Sequence, residues 1–231
     1  MSFPALVVDE AVRALRPDFV VLALRVRGVR NGPGTPESEA WLAEAEAAAR
    51  AAGTEVPPHV AAWRDAYRAF GAKPQRTPSS VEALWQRALK GPLPRVNWLV
   101  DLYNAVSVRH GLPVGGEDAA GFVGPLRLMR AAGHEPFDTV REGAAVVEYP
   151  TAGEVVWADD RGVTCRRWNW RQGTRTRLTE RSTDAIFLLE RLEPLPLSAL
   201  DAAGDALATA IQARCPEAVI ERERLPSPGS R

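Results

Sequence analysis

The sequence is poor in the residues that build covalent or metal-held scaffolds. Its 231 residues include two cysteines, Cys165 and Cys215, and three histidines, His59, His110 and His134. The cysteines make no CxxC step and the histidines no HxH or HxxxH pair, so neither zinc-ligand spacing nor a disulfide framework is available. No Ser-His-Asp or Cys-His arrangement presents itself, and no motif calls for a cofactor or a metal. Long apolar runs are missing as well. The longest, Phe19 to Leu24, spans six residues and runs straight into Arg25 and Arg27, far short of the ~20 needed to cross a bilayer. The N-terminus lacks the charged-then-apolar layout of a secretory signal, so a cytoplasmic protein with no membrane partner is expected. Charge of one sign is lacking too. With 29 basic and 29 acidic residues the net charge is zero, which argues against a general nucleic-acid binder.

What is present is ordinary in amount and uneven in distribution. Hydrophobic residues make up 45% and charged residues 25%, enough to bury a sizeable core. Thr35 to Glu55 is acidic, whereas Arg161 to Arg181 holds seven arginines and one acid, Glu180. Phe19 to Val29 reads as a strand, with Val20, Leu22, Leu24 and Val26 alternating on one face. Thr35 offers an N-cap with Pro36 at the first helical position, starting an alanine-rich helix closed by Gly53. A second helix runs from about Pro58 to Phe70. Ser79-Ser-Val-Glu82 has the form of a capping box for a third, ending near Lys90. Asn97 caps a fourth, lasting to His110.

After Gly111 short apolar runs appear at Leu126–Met129, Ala144–Tyr149, Glu154–Trp157, Val163–Trp170 and Ala185–Leu192, separated by turn residues. A final helix covers Ser198 to Ala213. Helices segregated from a block of strands predict an α+β fold with several N-terminal helices and a mostly antiparallel sheet. One domain is expected over 1–214, followed by a disordered tail over 215–231.

Three segments offer chemistry. Asp101 and Asn104 share a face of the helix begun by Asn97. They are either solvated or turned into a pocket. Gly115-Gly116-Glu117-Asp118 lets the backbone approach a ligand and puts two carboxylates on one turn, or it is a tight surface turn. It lacks phosphate-loop spacing. In Thr164 to Trp170, strand alternation would set Arg166, Trp168 and Trp170 on one face and Cys165, Arg167 and Asn169 on the other. Arginine beside tryptophan suits base stacking and phosphate clamping, and is equally common on a sheet surface.

Two longer blocks carry a resemblance. Thr77-Pro-Ser-Ser-Val-Glu-Ala-Leu-Trp-Gln-Arg-Ala-Leu with VNWLVDLYNAVSVRHGLPVGGED (Val96–Asp118), and CRRWNWRQGTRTRLTERSTDAIF (Cys165–Phe187), resemble the B3/4 domain of the bacterial phenylalanyl-tRNA synthetase β subunit. Free-standing B3/4-domain proteins are more similar still. The resemblance is clearest over 64–192. It implies an editing domain that hydrolyses a wrongly attached amino acid from the 3′ end of tRNA, without a covalent nucleophile.

The family's Val-Asp-x-x-Asn pattern stands as Val100, Asp101 and Asn104, with Tyr103 where the synthetase has threonine. Gly115 replaces the histidine of the Gly-x-Pro-x-His step. Glu190 corresponds to the selectivity acid, and Arg-Arg-Trp-Asn-Trp-Arg replaces a glycine-rich stretch. The resemblance therefore implies an aminoacyl-tRNA deacylase acting in trans. Asp101, Asn104, Gly115, Gly116, Glu117, Asp118, Trp168, Asn169 and Glu190 would hold the substrate, and Arg166, Arg167 and Arg171 would contact tRNA. The alternative is a non-catalytic module on the same scaffold, binding a free amino acid or small metabolite.

Overall fold

The computed structural model describes residues 3–226. In chain order the elements are β1 (Leu6–Val8), α1 (Glu10–Leu15), β2 (Val20–Arg27), α2 (Pro36–Ala52), α3 (Pro58–Ala69), α4 (Ser80–Lys90) and α5 (Trp98–His110). There follow β3 (Val114–Asp118), a 3₁₀ turn (Ala119–Gly121), β4 (Leu126–Arg130), β5 (Phe137–Arg141), β6 (Ala144–Glu148), β7 (Val155–Asp159), β8 (Gly162–Arg166) and β9 (Arg171–Gln172). The chain closes with β10 (Asp184–Arg191), α6 (Leu197–Arg214) and β11 (Val219–Leu225). One sheet has the order β11-β2-β10-β3, a second β1-β4-β7-β8-β9, and β5-β6 forms a separate hairpin. The one parallel pairing among the described residues is β1 with β4. The fold is α+β.

Local chemistry sets the helices. Thr35 Oγ1 accepts from the Ser38 amide at 3.1 Å and Ser38 Oγ accepts from the Thr35 amide at 2.9 Å, a closed capping box at the start of α2. Asn97 Oδ1 accepts from the Val100 amide at 3.1 Å, and Gly111 in the left-handed region (φ 67°) closes α5. Left-handed backbone is cheap for glycine alone. The capping box expected at α4 does not form. Ser79 Oγ is buried without a partner, while Glu82 is drawn away to Arg64 (2.6 Å) and Gln86 (3.0 Å). A charged pair outweighs a neutral cap.

β2 is buried on both faces. Leu22, Leu24 and Val26 pack against α5 and α6, as the alternation predicts, but Val21 and Ala23 enter a second core with Trp63, Trp157 and Trp168. β10 shares this double role through Phe187 and Leu189 on one side and Ile186 and Leu188 on the other. These two strands are the partition between the cores.

Three expectations are corrected. Gly115–Asp118 is not a turn but part of β3, with Gly116 opposite Phe187 and Glu117 opposite Ile186 of β10. The stretch Val163–Trp170 is not one strand: β8 ends at Arg166. The segment assigned to a tail from Cys215 instead forms β11, paired along β2 with Glu221 and Glu223 bonded to Arg27 and Arg25. Residues 227–231 of that expected tail lie outside the described residues. Among the described residues, no helix is long and apolar enough to cross a membrane.

Candidate functional site

The two cores meet at a cavity of about 280 Å³. Its walls come from the start of α4, from α5, from β3 and β10, and from the turn after β8. Trp157, Trp168 and Trp170 together with Tyr103 supply aromatic surface, and Glu117 and Glu190 are the two acids in the lining.

The turn after β8 builds one wall. Arg167 and Trp168 both have positive φ, 47° and 67°, each costing about 1–2 kcal/mol for a residue with a side chain. Two features offset that cost. The Arg167 amide donates to Glu154 Oε1 at 3.1 Å. Trp168 is fully buried, in edge contact with Phe19 (centroids 5.1 Å) and Trp63 (5.5 Å). The reversal breaks strand alternation, and the expected division of residues 165–170 into two faces is therefore corrected.

Glu190 sits in the interior on a set of neutral donors. Its Oε1 accepts from Trp157 Nε1 at 2.8 Å and its Oε2 from Asn169 Nδ2 at 2.6 Å. Asn169 Oδ1 in turn accepts from Tyr67 OH at 2.9 Å. With no cation to hold it ionised, burial pushes Glu190 up to about 8. Glu117 is alike. Its Oε1 accepts from Thr164 Oγ1 at 3.2 Å, its Oε2 is buried with no partner, and burial pushes it up to about 7. Neutral hydrogen bonds stabilise a buried carboxylate less than an ion pair does, so both acids titrate near neutrality. Burial also drives the Cys165 thiol well up, away from nucleophilic use.

Of the substrate residues expected from the sequence, Asn104, Gly115, Glu117, Trp168, Asn169 and Glu190 line this cavity. A Cβ built on Gly115 meets nothing within 4 Å, so the position that replaces the family's histidine opens into space. Three expected residues lie elsewhere. Asp101 accepts from the Val96 amide at 2.8 Å and borders a different groove with Arg95 and Glu39. Asp118 accepts from the Ala120 amide and from Ser182 Oγ (2.5 Å), holding the 3₁₀ turn. Gly116 is a packing glycine, since a Cβ there would lie 2.8 Å from the Tyr103 ring.

The lining residues that sequence reasoning missed include Trp157, Gln172 and Ser80, while Trp170 was singled out only for stacking and Tyr103 only as a departure from the family motif. Trp157 carried a usable signal, an indole in a short apolar strand beside acidic residues. Gln172 carried none.

The arginines are corrected most sharply. Arg166 is 6% exposed, bonded through Nε and Nη2 to Glu154 (2.9 and 2.8 Å) and through Nη1 to Glu148 (3.0 Å). Its charge is shared between two acids and the side chain is buried, so it is not offered to the surface. Arg167 lies over the Trp170 ring at 4.3 Å, and Arg171 donates to the Val140 carbonyl at 3.1 Å. These two remain partly exposed. Among the described residues, no cluster of three or more His, Cys, Asp or Glu is placed to hold a metal ion.

The B3/4 domain family matches residues 62–199. Among solved structures the chain is similar to an N-terminal fragment of the phenylalanyl-tRNA synthetase β-subunit from Pyrococcus horikoshii. The two are 12% identical with a TM-score of 0.52, over 98% of this chain and 55% of that one. At that identity the likeness is one of fold. The chain thus spans about half the length of the fragment it matches. No curated protein matches the chain.

Proposed function

Because the chain belongs to the B3/4 domain family, we propose that its cavity receives the aminoacyl end of a mischarged tRNA and that the protein hydrolyses the ester. One observation carries this reading. Two buried acids with no cationic partner in the lining face an aromatic cavity of about 280 Å³, just below the ~300–1,000 Å³ that suits drug-sized ligands. An amino-acid side chain is of the right order.

The chemistry asks little of the protein, since the ester is already activated. Glu117 titrates near 7, where a general base works best. It takes a proton from a water as that water adds to the ester carbonyl, and passes it to the departing ribose oxygen. The products are the free amino acid and a tRNA with its hydroxyl restored. Asn104 orients the carbonyl, and Glu190, fixed by Trp157 and Asn169, selects the side chain. Arg167 and Arg171 are left to meet phosphate.

The test is deacylation of a panel of correctly and wrongly charged tRNAs by wild type and by Asn104→Ala. Release of one amino acid by wild type, reduced ~10²-fold in the variant, is expected. No release above background across the panel rejects hydrolysis.

One observation favours the second reading, a binding module without catalysis: Arg166 is consumed internally, which shrinks the basic surface offered to RNA. Salt separates the two. Binding to tRNA through Z phosphates weakens with log salt at a slope of roughly −0.7Z to −0.9Z, whereas binding of a small ligand inside the cavity is far less affected.

A further inference from the structure

The open sheet edges of this protein are not alike. β11 carries Glu221, Arg222, Glu223 and Arg224 in succession, and β1 and β9 are only three and two residues long. Charged side chains and short length both keep an edge from pairing with another chain. β6 has neither protection. It is the five-residue strand Ala144-Ala-Val-Val-Glu148, and among the described residues β5 is its one partner. The far side of β5 is occupied, since the Asp138 carbonyl accepts from the Thr174 amide at 2.9 Å and the Val140 carbonyl from Arg171 at 3.1 Å. Backbone groups alternate sides along a strand. Val146, opposite Thr139, therefore turns its amide and carbonyl to β5, while Ala145 and Val147, opposite Val140 and Asp138, turn theirs outward. The side chains there are apolar and open: Val140 is 40% exposed, Val147 53% and Tyr149 57%. Glu148, the one charge on β6, lies on the other face, bonded to Arg141 and Arg166.

We infer that β6 pairs antiparallel with β6 of a second copy of this chain, about a two-fold axis at Val146, to make the four-stranded sheet β5-β6-β6-β5. The inference is independent of the proposed function. In this register the strand is its own complement. The outward amide and carbonyl of Ala145 meet those of Val147 in the second copy, and the two-fold repeats the exchange. On one face Val140 and Ala145 continue into Val147 of the second copy, joining two open apolar patches into one. Tyr149 falls opposite Gly143 of the second copy's turn, an aromatic ring over an edge glycine. On the other face Glu148 looks across Ala144 of the second copy to Arg141, so opposite charges share a row and no like charges stand directly opposed. The contact is isologous and uses up both β6 edges, so association stops at two copies. A seam of this length lies below the ~1,200 Å² of a standard interface, and the dimer is reversible.

The experiment is sedimentation equilibrium of the full chain from ~5 to ~500 μM, where the mass is expected to rise from that of one chain toward that of two. Val147→Lys places a charge on the seam at a side chain already 53% exposed, so the fold is kept, and it weakens dimerisation at least ~10-fold. Val219→Lys, at an equally open position on β11 (56% exposed), leaves dimerisation unchanged. Register is read by cross-linking. Val146 lies on the axis opposite its own image, in a pair without backbone bonds between the two copies, where side chains approach closely enough for a disulfide. Val146→Cys therefore forms a covalent dimer under mild oxidation, whereas Val147→Cys, whose opposite number is Ala145, does not. A wild-type chain that stays monomeric to ~500 μM overturns the inference. So does a dimer indifferent to Val147→Lys, or one that Val147→Cys cross-links as readily as Val146→Cys.

Discussion

Two sets of buried acids in this protein differ in a single respect, the kind of partner they have. Glu154 and Asp159 are 4% and 7% exposed, and Glu117 and Glu190 are 3% and 2%. Glu154 is bonded twice by Arg166. Burial alone would raise Asp159, but the Arg175 guanidinium and the Val123 and Arg161 amides outweigh it and hold its carboxyl below the usual range. Glu117 and Glu190 receive neutral donors and are pushed up instead. The first pair act as internal braces. The second pair keep unspent capacity and face empty space, which is why burial alone does not tell a structural acid from one that meets a ligand.

The strongest way to break this comparison is to remove a brace. Arg166→Met leaves Glu154 buried with only the more distant Arg167 guanidinium at 3.7 Å and is expected to cost about 3 kcal/mol in urea unfolding. Adding Glu154→Gln should recover most of that loss. A loss under ~1 kcal/mol would place Arg166 among ordinary surface pairs.

Glu117 and Asp159, one from each set, also answer pH in opposite directions, which sharpens the contrast. Glu117 ionises at about 7 in the folded chain and nearer its ordinary 4.5 when unfolded. Stability linked to it is full below pH 4.5 and falls as pH rises to 7, because the unfolded chain then holds fewer protons. Its surroundings include Tyr103, Cys165 and Glu190, with Arg175 and Asp159 farther off. The fall assigned to Glu117 is on the order of 3 kcal/mol, and the change in stability between pH 5 and pH 8 should show most of it in wild type and none of it in Glu117→Gln. Asp159 has the reverse sign, with its stabilisation present above pH 3.8 and lost in stronger acid.

The smallest effect separates neighbouring glycines. Gly115→Ala projects into the cavity and should change stability by less than about 0.5 kcal/mol. Gly116→Ala drives a methyl against Tyr103 and should cost about 1–3 kcal/mol. Equal costs would mean that Gly115 does not open into the site.

Legibility in the sequence followed the range of the interaction. Caps act within four residues, and Thr35, Asn97, Gly53 and Gly111 marked their helices correctly. β3 was hidden because two adjacent glycines read as a turn, and only the partner β10, some 70 residues away, makes them a strand. β11 was hidden for a related reason. Its Glu221 and Glu223 look like solvated tail until Arg25 and Arg27 are set beside them. Asn104, Glu117, Asn169 and Glu190, singled out by residue type and resemblance, line the cavity. Arg166 was misread because its acids, Glu148 and Glu154, are 18 and 12 positions away. Asp101 was misplaced because its nearest acceptor duty, to the Val96 amide, lies outside the helix.

Three of the seven tryptophans line one small cavity, and one of them, Trp157, shares its indole hydrogen with Glu190. Indole emission responds to the polarity around the ring and is quenched by nearby protonated acids. Occupancy of the site is therefore written into the light the protein itself emits. A compound entering the cavity changes the surroundings of the three rings, so a shift in emission reports binding without any attached dye.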